Sequence, residues 1–477
     1  MDQTLTIIAT LILYKIFLVY IGWSTRKKNI TIEDYFVGGK KLGPVITSIS
    51  YAASNSSAWT LLGVSGIAFS QGVSTIWLVI GVVGGMFLSW HKVAPSIFEI
   101  TRQKNLITVP QLIVSDLEMN KRKTVLVASS FIIIFSFSFY IASQFQGAGN
   151  ALSDTFGLGL VESVIISAVV IYIYTYLGGY LAVSITDTIQ GLLMALTATV
   201  MPVMAIYNLG GVHEFYLLFA GSASHFKSLS AGNIGFAILG LVVGHLGIGL
   251  GYFGQPHLLS RFISVKDQET LVRSKKYALV WFCLVFFGMW TLGIAGHFMI
   301  DDLANNENIF FKISGEIFHP IVQGILLAAV ISAIMSTADS QILVCSSSIS
   351  LDLGLKQSSL RISRLITGGV IFASVLIALL IPEKIFSRVL FAWTAMGSSF
   401  GPAVIARISN WKLSENHILL SMVIGFVLAI VFFLLPDSTG DWIERVIPFF
   451  AGLILSLIHI SEPTRPERIS YAVFCLK

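Results

Sequence analysis

The chain has 477 residues, 55% of them hydrophobic and only 12% charged, a composition that excludes a water-soluble globule and fits a series of bilayer-spanning helices. Its formal net charge of +5 is carried largely by loops between apolar runs, which reports orientation in a membrane and gives no reason to invoke nucleic acid. The three cysteines, Cys283, Cys345 and Cys475, stand at no metal-ligand or redox spacing, so neither a disulfide framework nor a zinc site is implied.

Apolar runs of spanning length begin near residues 5, 43, 73, 125, 158, 186, 232, 276, 317, 362, 386, 415 and 443, about thirteen in all. The first, residues 5–23, has no small-residue cleavage site and reads as a retained helix, not a signal peptide. Lys15 near its middle is costly unless it snorkels or faces a polar crevice. With the N-terminus outside, the inside loops collect Arg26, Lys27, Lys28, Lys40, Lys41, Arg102, Lys104, Lys121, Arg122, Arg261, Lys266 and Arg273, whereas the outside loops hold few basic residues, among them Lys227, Lys312 and Arg445. This asymmetry is the positive-inside pattern of a multi-pass protein of the cytoplasmic (inner) cell membrane.

The second run carries Ser-Ile-Ser-Tyr-Ala-Ala-Ser-Asn-Ser-Ser-Ala-Trp-Thr over residues 48–60. So many hydroxyls, an amide and small residues predict a helix that loosens around residues 53–57 and offers its freed carbonyls to a cation. The sixth run opens on Asp187, an acid expensive within a membrane and indicative of an ion pathway or a paired charge, or else an ordinary helix-terminal residue. The seventh is interrupted by Gly244, Gly247, Gly249, Gly251 and Gly254 ahead of Gln255 and Pro256. Gly249, Gly251 and Gly254 spell a dinucleotide-binding fingerprint, but that motif works only between a strand and a helix, so nucleotide binding is rejected. His245 in the same run reads as a packed or water-facing histidine.

The second and seventh runs lie an odd number of crossings apart, so they have opposite orientation. Paired interrupted helices in an inverted repeat point to a binding site at the bilayer midplane. Close packing by small residues explains one such segment; two in matched positions favour a transporter. The ninth run supplies a hard cation with oxygens, because Ala333, Ser336, Thr337 and Ser340 recur at three- and four-residue spacing on one helix face. Asp339 is a second intramembrane acid. From about residue 456 the character changes, and two prolines follow a truncated apolar run; residues 456–477 read as a non-native, sequencing-adapter-derived tail.

Several motifs together give the chain a family likeness up to about residue 455: Asp34-Tyr35-Phe36-Val37-Gly38-Gly39, Thr175-Tyr176-Leu177-Gly178-Gly179, Asp187-Thr188, Gly249-Leu250-Gly251-Tyr252-Phe253-Gly254-Gln255-Pro256-His257 and Met335-Ser336-Thr337. In these it resembles the sodium/solute symporter family, most closely its sodium/proline symporters. The resemblance implies an all-α polytopic membrane protein with a leucine-transporter-type core of two inverted five-helix repeats. Residues 1–42 would form an extra N-terminal helix and loop, 43–208 and 209–409 the two repeats, and 410–455 the C-terminal helices. It implies sodium-coupled uptake of a small solute, L-proline first, with another small amino acid or a monocarboxylate next.

Carried over residue by residue, the resemblance puts the sodium site on Ala53, Ser56, Ala333, Ser336 and Thr337, and the solute cavity on Ser57, Trp59, Gly63, Tyr140, Ile248, Tyr252 and Pro256. A second cation site, found in some members, would use Asp187 and Ser340. Asn55 stands where proline symporters have an aspartate, and Ile248 where they have a tryptophan. No organic cofactor, metal other than sodium, nucleic acid or obligate protein partner is expected. The competing classes are an ion channel, a sensor built on the same fold, and a membrane enzyme, for which no nucleophile, base and oxyanion donor occur together.

Overall fold

The computed structural model describes residues 3–25, 31–301, 303–354, 360–381, 385–436 and 438–458. The expected tail falls almost wholly outside the described residues, as do Arg26, Lys27 and Lys28. The described residues are helical throughout, apart from connecting loops and one isolated bridge between Leu42 and Val265.

Among the described residues, ten helices are long and apolar enough to cross a membrane, and Leu160–Ile173 is a shorter apolar helix. The difference from about thirteen runs has local causes. The second run is broken into Pro44–Asn55 and Val64–Gln71. The fifth and sixth are two helices that meet at Gly179, with φ 56° and ψ −160°, a backbone region open essentially to glycine, and the apolar part of the fifth, Leu160–Ile173, falls short of spanning length. The last is the 17-residue helix Trp442–Ile458.

Both interruptions follow from side-chain chemistry. Asn55, Ser56 and Ser57 are poor helix formers because their side chains compete for backbone groups. The helix stops there, with Ser56 at φ −95° and ψ 82°, and resumes through a wider turn, Trp59–Gly63. In the seventh span, Phe236–Gly247 tightens into Ile248–Phe253 and then breaks. Pro256 has no N–H to give and forces its predecessor extended; Gln255 takes φ −92° and ψ 101°, and a new helix, Pro256–Ser264, begins at the proline.

Glycine permits close backbone crossings around this second break. A Cβ on Gly249 would strike Gly81 O, one on Gly85 would strike Gly249 O, and one on Gly254 would lie 2.6 Å from Gly401 N. The fingerprint glycines are therefore packing surfaces between the third, seventh and eleventh spans.

Three basic loops meet on one face. Leu42 N–H donates to Ser264 O and Lys266 N–H to Leu42 O, both at 3.1 Å. Arg102 Nη2 donates to Lys40 O at 3.0 Å and to Lys266 O at 3.1 Å. The N-terminal helix, Gln3–Thr25, docks against the ninth span, Pro320–Ser347. Tyr14 OH lies 2.7 Å from Ser332 Oγ, and Lys15 Nζ donates to Met335 Sδ.

Candidate functional site

The break in the second span faces the middle of the ninth. Ser336 Oγ donates to Ala53 O at 3.0 Å and lies 3.1 Å from Ala333 O, and Thr337 Oγ1 donates to Ala333 O at 3.2 Å. Ser56, at the end of the broken helix, is fully buried and its Oγ makes no hydrogen bond. The structure thus brings Ala53, Ala333, Ser336 and Thr337 together, with Ser56 just beyond Ala53 at the helix end. They form a junction of neutral carbonyls and hydroxyls, a donor set suited to a weakly held hard cation.

Next to it lies the expected solute set. Asn55 Nδ2 donates to Tyr252 OH at 2.8 Å, linking the two broken helices directly. The Tyr140 hydroxyl lies beside Ser57 and Trp59, and the Trp59 ring is 5.6 Å from that of Phe286. Ala58 N–H donates to Gln144 Oε1 at 3.4 Å. Asn55 Oδ1 and Thr60 Oγ1 are buried and make no hydrogen bond, so this part of the core keeps polar capacity that burial normally eliminates.

Above this layer opens a cavity of about 1190 Å³, lined by Gly63, Gly66, Gln146, Asn150, His245, Glu307 and Arg445 among others. It lies at the ends of the second and fourth spans remote from the basic loops. Gly63 is the one member of the expected solute set that lines it. Pro256 lines a cavity of about 20 Å³ together with Tyr180, Ser340 and Asp352 among others.

Ile248 is buried, and its carbonyl accepts from Trp393 Nε1 at 2.8 Å. That indole, from the eleventh span, meets the Tyr252 ring edge-on at 5.0 Å. The sequence reading missed Trp393, Phe286 and Gln144; each is apolar or amide-bearing in an otherwise ordinary span, with no local signal.

Arg261 requires a correction. Read from the sequence as an inside-loop residue, it is fully buried together with Asp187, and its Nη2 lies 2.9 Å from Asp187 Oδ2. The same nitrogen reaches Ser54 Oγ at 2.7 Å and Ser340 Oγ at 2.5 Å. Asp187 also accepts from Ser50 at 2.8 Å and from Ser54 at 3.0 Å. Hence Asp187 and Ser340 do converge, with a guanidinium between them. The cause is the break at Gln255: the span restarts there as Pro256–Ser264, a helix buried along its whole length, so Arg261 lies inside the span and not in the loop beyond it.

Two broken spans around a buried polar junction, open on one side and closed on the other, define a secondary transporter with a leucine-transporter-type core. The fold superposes on a Na⁺-coupled sialic acid symporter solved in a substrate-bound outward-open state, with a TM-score of 0.81 and 17% identity over 95% of this chain and 97% of that chain. It also superposes on MhsT in complex with L-phenylalanine, with a TM-score of 0.56 and 13% identity over 87% and 98% of the two chains.

In sequence, the chain is 31% identical to the osmoregulated proline transporter OpuE of Bacillus subtilis over 99% of this chain and 98% of that protein. It is also 31% identical to a sodium/proline symporter of Salmonella typhimurium, over 98% and 95%. Residues 35–425 match the Sodium:solute symporter family, and the chain belongs to that family. It is a transporter, not an enzyme.

Proposed function

We propose that this protein drives uptake of a small solute, L-proline first among them, by cotransport with sodium across the cytoplasmic membrane. The observation that carries this reading is the contact of Ser336 Oγ with Ala53 O and Ala333 O, because it joins the broken second span to the ninth through groups able to replace the hydration shell of an alkali cation. The relatives described as proline transporters and sodium/proline symporters support the solute and the ion.

In this reading the basic face is cytoplasmic, the N-terminus is outside, and the large cavity past Gly63 is the external vestibule. Sodium arrives first and sits among Ala53, Ser56, Ala333, Ser336 and Thr337, which fixes the break that carries Ser57 and Trp59. The solute then lies below Gly63, its apolar part enclosed by Trp59, Tyr140 and Tyr252, beside the Ile248 turn. Residues 43–208 and 209–409 act as the two repeats that rock about this site.

One charge moving inward across ~100 mV releases about 2.3 kcal/mol, and a tenfold sodium gradient adds about 1.4 kcal/mol. Together they support a solute ratio of roughly several hundred. The test is radiolabelled uptake in proteoliposomes, with proline, other small amino acids and monocarboxylates offered with and without a sodium gradient. Accumulation of proline only when sodium is present supports the proposal. Equal accumulation in choline or potassium media ends it.

A further inference from the structure

The expected second cation site at Asp187 and Ser340 already contains a positive charge that belongs to the protein. Besides the three Nη2 contacts to Asp187, Ser54 and Ser340, Arg261 Nε donates to Ser50 Oγ at 3.3 Å. Nη1 donates to His257 O at 2.7 Å and lies 3.5 Å from Ser260 Oγ. The guanidinium also lies over the Tyr180 ring at 5.1 Å.

We propose that the Arg261 guanidinium is a tethered resident cation in the pocket formed by Ser50, Ser54, Asp187 and Ser340, so that one sodium ion, not two, is coupled to each solute molecule. The inference rests on the symport reading above and specifies its ion count.

The charge argument comes first. Asp187 is fully buried, and a buried carboxylate needs a counter-charge. Arg261 supplies it within hydrogen-bonding distance. A sodium ion on the same carboxylate would sit beside the guanidinium, and burial leaves little water to screen the repulsion.

The oxygen supply gives the same answer. Ser54 and Ser340, which would have to turn lone pairs toward a metal ion, face the Nη2 donor instead. Asp187 Oδ1 makes no hydrogen bond, but a single oxygen falls short of the several that a hard cation takes up. At the Ala53 and Ser336 junction the donors are neutral oxygens, and there a mobile ion can both bind and leave.

The position also matters for transport. Ser50 and Ser54 belong to the first half of the second span, Asp187 to the sixth, Arg261 to the second half of the seventh, and Ser340 to the ninth. One covalently attached cation therefore ties the moving parts together on the closed side. It can release them when the core rocks, without itself being carried across.

The test measures radiolabelled sodium and proline fluxes in the same proteoliposomes. Wild type is expected to move one sodium per proline, with a non-sigmoidal sodium dependence. Arg261→Ser frees Asp187, Ser54 and Ser340, and is expected to raise the ratio toward two and make the dependence sigmoidal; adding Asp187→Asn returns it to one. Asp187→Asn alone is expected to leave the ratio at one in whatever transport survives, and this arm does not need Arg261→Ser to fold. A wild-type ratio of two, or an unchanged ratio in transport-competent Arg261→Ser, overturns the inference while leaving symport intact. Absence of any sodium-driven proline uptake by wild type counts against the symport reading instead.

Discussion

Ser336 and Ala53 meet across two helices: the Ser336 hydroxyl donates to the Ala53 carbonyl at 3.0 Å, at the point where the second span loses its helical hydrogen bonds. The contact couples the conformation of the break to the ninth span, and a cation inserted between the two oxygens would hold the same geometry. A hydrogen bond or ligand directed at a charged group contributes about 1.5–3 kcal/mol. Ser336→Ala or Thr337→Ala should therefore raise the half-saturating sodium concentration roughly tenfold to a hundredfold, with little change in which solutes compete. Proline uptake measured over a sodium series checks this, and an unaltered sodium dependence would remove both residues from the ion site.

The Asn55 amide donates to the Tyr252 hydroxyl at 2.8 Å within a fully buried layer. Tyr252→Phe leaves that amide without its partner, a loss of about 1–3 kcal/mol. Half-saturating proline is expected to rise about fivefold or more, while sodium dependence moves less. Asn55→Asp should act in the opposite sense on the ion, because a carboxylate two residues from Ala53 adds negative charge beside the sodium junction. Its half-saturating sodium should fall below that of wild type. Parallel sodium and proline titrations of the two variants separate the roles, and a rise in both constants for Asn55→Asp would contradict the assignment.

The elements that could be read from the chain are those written in local chemistry. The stop at Asn55, the turn at Gln255 ahead of Pro256, and the shared face of Ala333, Ser336 and Thr337 each depend on residues within a turn or two of one another. The partners that complete the site are long-range. Trp393 reaches Ile248 and Tyr252 from the eleventh span, and nothing in its own neighbourhood marks it. Arg261 looked like a loop residue because basic residues beyond an apolar run usually are. Only the restart of the span after Gln255, as a second buried helix, places it beside Asp187. The fifth and sixth spans follow each other directly because the turn between them is made at Gly179, without the polar run that normally separates two crossings.

Lys15 presents a charge within the N-terminal helix, and Met335 Sδ, a weak acceptor, is the partner its ammonium reaches. Around it lies a cavity of about 650 Å³ lined mainly by aliphatic side chains such as Leu11, Ile16, Ile166 and Ile331. Such a lysine costs about 2.5–3.5 kcal/mol in a membrane-spanning helix. Lys15→Met should therefore raise the thermal midpoint in detergent and leave sodium-driven uptake within about twofold of wild type, since a 0.4 kcal/mol change is about twofold. A larger loss of uptake, with the protein folded and inserted, would mean that the amine takes part in transport.

The crossing of the third and seventh spans offers a test of packing with an internal control. Gly85 and Gly84 are neighbours in the helix Ile76–Leu88. A Cβ on Gly85 would run into the backbone of Gly249, whereas one on Gly84 would meet nothing within 4 Å. Backbone cannot rotate aside as a side chain can, so Gly85→Ala forces the helices apart, at a cost of about 1–3 kcal/mol for overpacking of this kind. Gly84→Ala gains helix preference of roughly 0.5–1 kcal/mol with no collision. Thermal unfolding in detergent should move down for Gly85→Ala and be level or slightly up for Gly84→Ala. Because Gly249 lies in the turn that carries Ile248 and Tyr252, Gly85→Ala should also weaken proline binding. Equal midpoints for the two variants would show that the crossing is looser than the backbone contact implies.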